Sequence, residues 1–259
     1  MAAPACDQPT NEQPPSVRLH AGSLSYGGAV LFEELDLELP AGQWTCLLGP
    51  SGVGKSSLLR LVAGLEPADG ATRIRCSDGR PLAGRVAYMA QQDLLLPWLD
   101  ALGNVALGAR LRGEPAAAAL ERARRLLDLV GLGTAAGKSP AQLSGGMRQR
   151  VALARTLFEG RPVVLMDEPF SGLDMPGRLR LQELAGRLLA GATVLLVTHD
   201  PLEALRLGHR IHVMAGHPAR LDSALVPPGT PPRDVVDPAV LSLQGELLQR
   251  LAAAAEPVS

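Results

Sequence analysis

The segment Gly49-Pro50-Ser51-Gly52-Val53-Gly54-Lys55-Ser56 reads G-x-x-x-x-G-K-S, and no other stretch constrains the fold of this chain as tightly. Before it, Trp44-Thr45-Cys46-Leu47-Leu48 reads as a short buried strand. After it, Ser57-Leu58-Leu59-Arg60-Leu61-Val62-Ala63-Gly64 reads as a helix stopped by glycine. The glycines let the backbone turn several N–H groups toward one point, and the helix N-terminus behind them adds partial positive charge. Such a cradle suits a polyphosphate, with Lys55 reaching the β- and γ-phosphates and the Ser56 hydroxyl on Mg²⁺. The plain competing reading is a glycine-rich turn that binds nothing. The flanking elements weigh against it, and so does residue usage: Lys55 and Lys138 are the only lysines, with arginine supplying all other basic side chains. A compact ammonium stands where a branched guanidinium fits poorly.

At 259 residues the chain is long enough for one large domain or a domain with an inserted subdomain. Aromatic residues make up 3%, so the core must be built from Leu, Val and Ala. A net charge of −1 gives no electrostatic reason to expect nucleic acid as a partner. Cys6, Cys46 and Cys76 are too scattered for a disulfide framework or a zinc site, which fits a reducing compartment. The first residues, to Ser16, are rich in Pro, Gln and Asn and read as a flexible tail (1–16) without the pattern of a signal peptide. No apolar run approaches the length of a membrane span, so any membrane role is expected to come through another chain.

Along the chain, Val17 to Leu39 shows strand-like patches, with clean alternation over Leu35-Asp36-Leu37-Glu38-Leu39. Short strands are expected near Thr72 to Arg75 and Arg85 to Met89. From about residue 94 to 145 alanine, leucine and arginine dominate, and Ala116 to Val130 has helical periodicity; this reads as a helical insertion. The Arg122, Arg124 and Arg125 run is expected to face solvent, with Leu126, Leu127 and Leu129 buried. Strand and helix then alternate through Val163 to Met166, Gly177 to Leu189, Thr193 to Val197, Pro201 to Leu207 and Ile211 to Met214, which predicts a parallel α/β sheet. The main domain is placed at 17–225, and 226–259 reads as a Pro-rich linker followed by a helix from about Pro238 to Ala254.

Two further segments join the loop. Val163-Val164-Leu165-Met166-Asp167-Glu168 delivers two carboxylates at the C-terminal end of an apolar strand, where open α/β sheets bind ligands. Asp167 is suited to Mg²⁺ and Glu168 to orienting or deprotonating a water. Leu143-Ser144-Gly145-Gly146-Met147-Arg148-Gln149-Arg150 opens another helix with bare amides; taken alone it is an ordinary N-cap.

Together and in this order, these segments resemble the ATP-binding cassette (ABC) ATPases. Leu143 to Arg150 is similar to the family's signature motif, with Met147 in place of the usual glutamine. Tyr26 resembles the aromatic that stacks on adenine. Gln91 in Met89-Ala90-Gln91-Gln92-Asp93 resembles the Q-loop glutamine, with Gln92 as its register rival. Ser171-Gly172-Leu173-Asp174 resembles the D-loop, and His199 in Val197-Thr198-His199-Asp200 the switch histidine. The resemblance covers roughly Val17 to Ala215.

It implies a P-loop NTPase core with an antiparallel β subdomain and an inserted α-helical subdomain, acting on ATP with Mg²⁺. Nucleotide contacts would come from Tyr26, Gly49, Pro50, Ser51, Gly52, Val53, Gly54, Lys55, Ser56 and Ser57, and from Ser144, Gly145, Gly146 and Asp174. Ser56, Gln91 and Asp167 would serve the metal; Glu168, His199 and Gln91 would serve catalysis. The implied assembly is a head-to-tail homodimer on a transmembrane permease, at the cytoplasmic face of the inner membrane, with an extracytoplasmic solute-binding protein reached through the complex.

Leu95-Leu96-Pro97-Trp98, Met147 and Glu168-Pro169-Phe170 look like the nitrate, sulfonate and taurine importer group, which also holds importers of thiamine-pyrimidine precursors. Gln91 to Trp98 is the expected permease contact, with Trp98 alternatively a core anchor. The alternative function is a soluble ABC ATPase uncoupled from transport; the chain has no paired cassette, coiled-coil insertion or basic face to favour it. A GTPase would need an N-K-x-D segment, and Lys138 follows glycine. The trio His209, His212 and His217 lacks a carboxylate or cysteine to complete a metal site.

Overall fold

The computed structural model describes residues 13–255. In chain order the strands are β1 (Val17–Tyr26), β2 (Ala29–Leu39), β3 (Trp44–Leu48), β4 (Arg73–Cys76), β5 (Val86–Met89), β6 (Val163–Asp167), β7 (Thr193–Val197), β8 (Arg210–Ala215) and β9 (Arg220–Leu221). The α-helices are α1 (Lys55–Val62), α2 (Ala101–Val105), α3 (Leu107–Leu111), α4 (Ala116–Leu129), α5 (Gly145–Phe158), α6 (Met175–Leu188), α7 (Pro201–Leu207) and α8 (Pro238–Ala255). They fall into two units. One holds Ala87–Pro162 and Pro169–Leu189; the other holds Pro14–Val86, Val163–Glu168 and residues 190–255. The helical unit is thus wider than the 94–145 insertion, because α5 and α6 fall within it.

In the second unit, alternation becomes an antiparallel sheet in the order β2-β1-β4. Leu35, Leu37 and Leu39 point inward, and the register pairs Val17 with Leu39 and Leu19 with Leu37. The continuous apolar runs form parallel strands instead. Every residue of β3, β6 and β7 is buried, as expected where a sheet is covered on both faces. Within this unit the sheet runs β6-β7-β3-β8-β9, parallel apart from the β8–β9 edge. Helix α1 packs on β6 and β7, α7 on β3, and α8 on α7 and β8.

Two expectations change here. Pro14 to Ser16 are not part of a tail: the Ser16 N–H donates to Ser77 Oγ at 3.0 Å, and the Pro15 carbonyl accepts from Thr193 Oγ1 at 2.8 Å. The tail expected over residues 1–12 lies outside the described residues. The Pro-rich stretch is no free linker either, since Arg233 within it is 5% exposed and Val240 and Leu247 of α8 are buried.

In the helical unit, α2 and α4 pack against α5, whose Val151 to Ala154 are buried. Helix α4 buries Ala119, Ala123, Leu126 and Leu127, one stripe at spacings of four, three and one. Leu129 falls off that stripe and is exposed, contrary to expectation. Arg122 also departs from the solvated-face reading: its guanidinium carbon sits 4.0 Å from the centroid of the Phe158 ring, a cation–π contact.

Candidate nucleotide site

In the second unit the glycine-rich loop joins β3 to α1, and its shape depends on two missing side chains. A Cβ on Gly49 would lie 2.3 Å from the Met214 carbonyl oxygen of β8. Gly54 has φ +110° and would place a Cβ 2.9 Å from Leu31 Cγ. Gly54 is also the N-cap of α1 and offers no side-chain cap, so the first-turn amides remain directed at the loop.

Lys55 opens the helix and is 8% exposed. Its Nζ donates to the carbonyls of Gly49 and Pro50, each at 2.8 Å, which fixes the ammonium at the mouth of the loop. Burial holds its pKa below the ordinary lysine value, opposed by the charges of Glu168 and Asp167.

Asp167 ends β6 and is 3% exposed. Burial pushes its carboxyl above the usual aspartate range, and the Glu168 charge adds to this; a hydrogen bond with Ser56 and the charges of Lys55 and Arg60 oppose it. Glu168 follows in a left-handed conformation, φ +49°, which costs a residue with a Cβ about 1–3 kcal/mol. Its N–H donates to the Val197 carbonyl at 2.9 Å, and its Oε2 lies 2.9 Å from His199 Nδ1. His199 itself is exposed and precedes Asp200, the N-cap of α7. Tyr26, at the end of β1, is 46% exposed beside the Gly27-Gly28 turn.

The cluster therefore gathers the loop, Ser56, Asp167, Glu168 and His199 at the C-terminal ends of β3, β6 and β7. The donor set fits the groups it is expected to hold. Ser56 and Asp167 supply hard oxygen ligands, which suit Mg²⁺ with its retained waters and phosphate oxygens. The loop supplies first-turn amides left without a side-chain cap and one ammonium, which suit a polyphosphate.

The remaining expected residues belong to the helical unit. Ser144 caps α5, its Oγ accepting from the Met147 N–H at 3.3 Å. Gly146 meets the loop before α6: a Cβ there would lie 3.3 Å from Leu173 Cδ2 and 3.4 Å from the Gly172 carbonyl. Asp174 is the N-cap of α6. Gln91 and Gln92 are both exposed. Trp98 is 74% exposed and so is not a core anchor.

Reading by residue type passed over the side chains that hold the segment after Gln91. Arg148 Nε donates to the Asp93 carboxylate at 2.9 Å, while Arg155 donates to the carbonyls of Asp93 and Leu94 at 2.7 and 2.9 Å. Leu94 has φ +45°, so these bonds hold a strained turn. Their seven-residue separation, which puts both arginines on one face of α5, was the available signal. Among the described residues, no three His, Cys, Asp or Glu side chains form a group able to hold a metal ion. His209 instead accepts the Trp44 N–H at Nδ1, 3.0 Å.

Comparison with known proteins agrees with this arrangement. The family model described as "ABC transporter" matches residues 32–171. An uncharacterized ABC transporter ATP-binding protein of Haemophilus influenzae is 44% identical over 241 residues, covering 91% of this chain and 98% of the relative. The aliphatic sulfonates import ATP-binding protein SsuB 2 of Burkholderia cenocepacia is 38% identical over 255 residues, covering 95% and 91%. Among solved structures, the dimeric post-hydrolysis state of the ATP-binding cassette MJ0796 bound to ADP and Pi superposes with a TM-score of 0.74. It is 27% identical and covers 83% of this chain and all of that one. Matched over more than half its length by that family model and 44% identical to a relative over nearly its whole length, the chain belongs to the ABC transporter family of ATP-binding proteins.

Proposed function

We propose that this ABC ATPase energises an importer for a small organic or oxyanion solute of the sulfonate type, and that Glu168 is its catalytic base. The observation that carries the reading is the 2.9 Å contact of Glu168 Oε2 with His199 Nδ1, in the same unit as Lys55 and Asp167. The first-turn amides and Lys55 would bind the phosphates, and Ser56 and Asp167 would hold Mg²⁺, which when bound would neutralise phosphate charge. Glu168 then accepts the proton of an attacking water, which His199 positions against the γ-phosphate. The water oxygen bonds to the γ-phosphorus as the bond to the bridging oxygen breaks and ADP leaves; no covalent enzyme intermediate is needed, and catalysis is positioning and electrostatics.

Two copies would close head to tail, with Ser144 and Gly146 of one facing the phosphate loop of the other. No helix among the described residues is long and apolar enough to cross a membrane, so a permease is the proposed anchor, at the cytoplasmic face. The exposed Leu94 and Trp98 beside Gln91 support that segment as its contact. The sulfonate reading follows the name of the 38% identical relative; thiamine-pyrimidine precursors enter the proposal only through the resemblance of Met89 to Asp93.

Replacement Glu168→Gln tests the assignment: ATP binding should persist while turnover falls about 10²-fold or more. Near-normal turnover would remove Glu168 from the mechanism. Affinity capture from solubilised membranes should recover a polytopic subunit, and recovery of soluble partners alone would overturn the importer reading.

A further inference from the structure

Arg233 lies beyond the segment matched by the family model, in the Pro-rich stretch, and is buried, 5% exposed. All five of its guanidinium N–H groups meet backbone carbonyls. Nε donates to Pro228 at 2.6 Å, and Nη2 to Pro227 at 2.9 Å and Gly229 at 3.1 Å. Nη1 donates to Leu205 at 2.8 Å and Gly208 at 2.7 Å, both at the C-terminal end of α7. The main chain adds two bonds: Arg233 N–H to the Arg206 carbonyl at 2.9 Å, and Arg206 Nη1 to the Arg233 carbonyl at 2.9 Å.

Helix α7 has seven residues, too few to persist without fixed ends. Its C-terminal end is held by a cation, the charge favoured there by the helix dipole. Its N-terminal end is capped by Asp200, whose Oδ1 accepts from Leu202 N–H at 2.9 Å and Glu203 N–H at 3.4 Å. His199 stands immediately before that cap. On its other side Thr198 is buried and donates its N–H to the Leu47 carbonyl at 3.1 Å. The histidine therefore hangs between a fixed sheet and a short helix whose far end, about 10 Å away at 1.5 Å per residue, is gripped by Arg233.

We propose that Arg233 is a positioning residue for ATP hydrolysis, acting through α7 to hold His199 against Glu168. A buried guanidinium is an expensive fastener for a loop, which an apolar side chain would pack as well. What it adds is direction: five bonds in a rigid fork orient the Pro-rich strap and the helix end together, which lysine cannot reproduce. This proposal rests on the reading of His199 as a residue of the hydrolytic site.

The test is a double-mutant cycle on the full chain, with steady-state ATPase kinetics of Arg233→Gln, His199→Ala and the pair. Arg233→Gln should lower kcat about tenfold with KM for ATP unchanged, because the phosphate loop is untouched. The pair should be no slower than His199→Ala alone, and Arg233→Lys should remain impaired. Multiplicative losses in the pair, or a loss confined to KM, would overturn the proposal while leaving His199 in the site. A fully active His199→Ala protein would overturn both. If Arg233→Gln fails to fold, the same cycle is run with Arg233→Lys, and the same outcomes decide.

Discussion

Replacing Gly49 by alanine should destabilise the protein through a single collision. The new Cβ would stand 2.3 Å from the Met214 carbonyl oxygen, and the residue would have to keep φ +148°. That oxygen has no easy retreat, because β8 is paired on both sides, Val213 with Leu48 of β3 and Met214 with Leu221 of β9. Backbone strain of this kind costs about 1–3 kcal/mol, and overpacking about as much again. The sum, about 2–6 kcal/mol, is a large part of a typical stability of about 5–15 kcal/mol. At about 2–4 °C per kcal/mol for a chain of this size, Tm should fall by roughly 4–24 °C.

Gly52→Ala is the internal control. It has φ +81° with nothing within 4 Å of the added Cβ. Only the conformational cost of about 1–2 kcal/mol applies there. Thermal unfolding followed by circular dichroism, without nucleotide, should show a clearly larger loss for Gly49→Ala. Equal losses at the two positions would mean that close approach to β8 does not explain the glycine.

Burial holds the Asp167 carboxyl above its ordinary value, so its favourable contribution is present at acid pH and is lost as pH rises through the folded value. Asp167→Asn should therefore raise Tm at pH 7, by a margin that shrinks toward about pH 4, while abolishing Mg²⁺-dependent hydrolysis; a lower Tm at pH 7 would contradict this. Asn104 is buried, accepts the Leu96 N–H at 2.7 Å and donates to the carbonyls of Leu96, Leu99 and Asp100 at 3.2, 3.2 and 2.9 Å. Asn104→Ala strands these groups and should cost about 2–4 kcal/mol in denaturant unfolding. A loss below about 1 kcal/mol would show that the turn beside Trp98 holds itself.

Strands β3 and β7 and helix α7 have the limits expected from sequence, because unbroken apolar runs and Pro201 mark them locally. The loop, Asp167 and Glu168 were legible for the same reason: a motif of fixed spacing sits at the end of an apolar strand. The Glu168–His199 pair joins residues 31 positions apart and depends on β6 lying beside β7, which periodicity does not report. Arg233 was invisible for a different reason. Its partners are backbone carbonyls, which every residue carries, so no side-chain pattern announces them. The same blindness turned the anchored Pro-rich strap into a linker and Pro14 to Ser16 into tail. Leu129 was misplaced because one position more or less rotates a helical residue by 100° around α4, out of its buried stripe.

The scarcity of lysine gives the phosphate loop a chemical address. An amine-directed reagent meets only two lysine side chains in 259 residues. Lys138 is exposed in the helical unit, whereas Lys55 is lodged between the Gly49 and Pro50 carbonyls and gives up its proton more readily than an ordinary lysine. Since the neutral amine is the nucleophile, labelling at Lys55 relative to Lys138 reports in one ratio how far the loop's own carbonyls, or a phosphate in their place, shield that nitrogen.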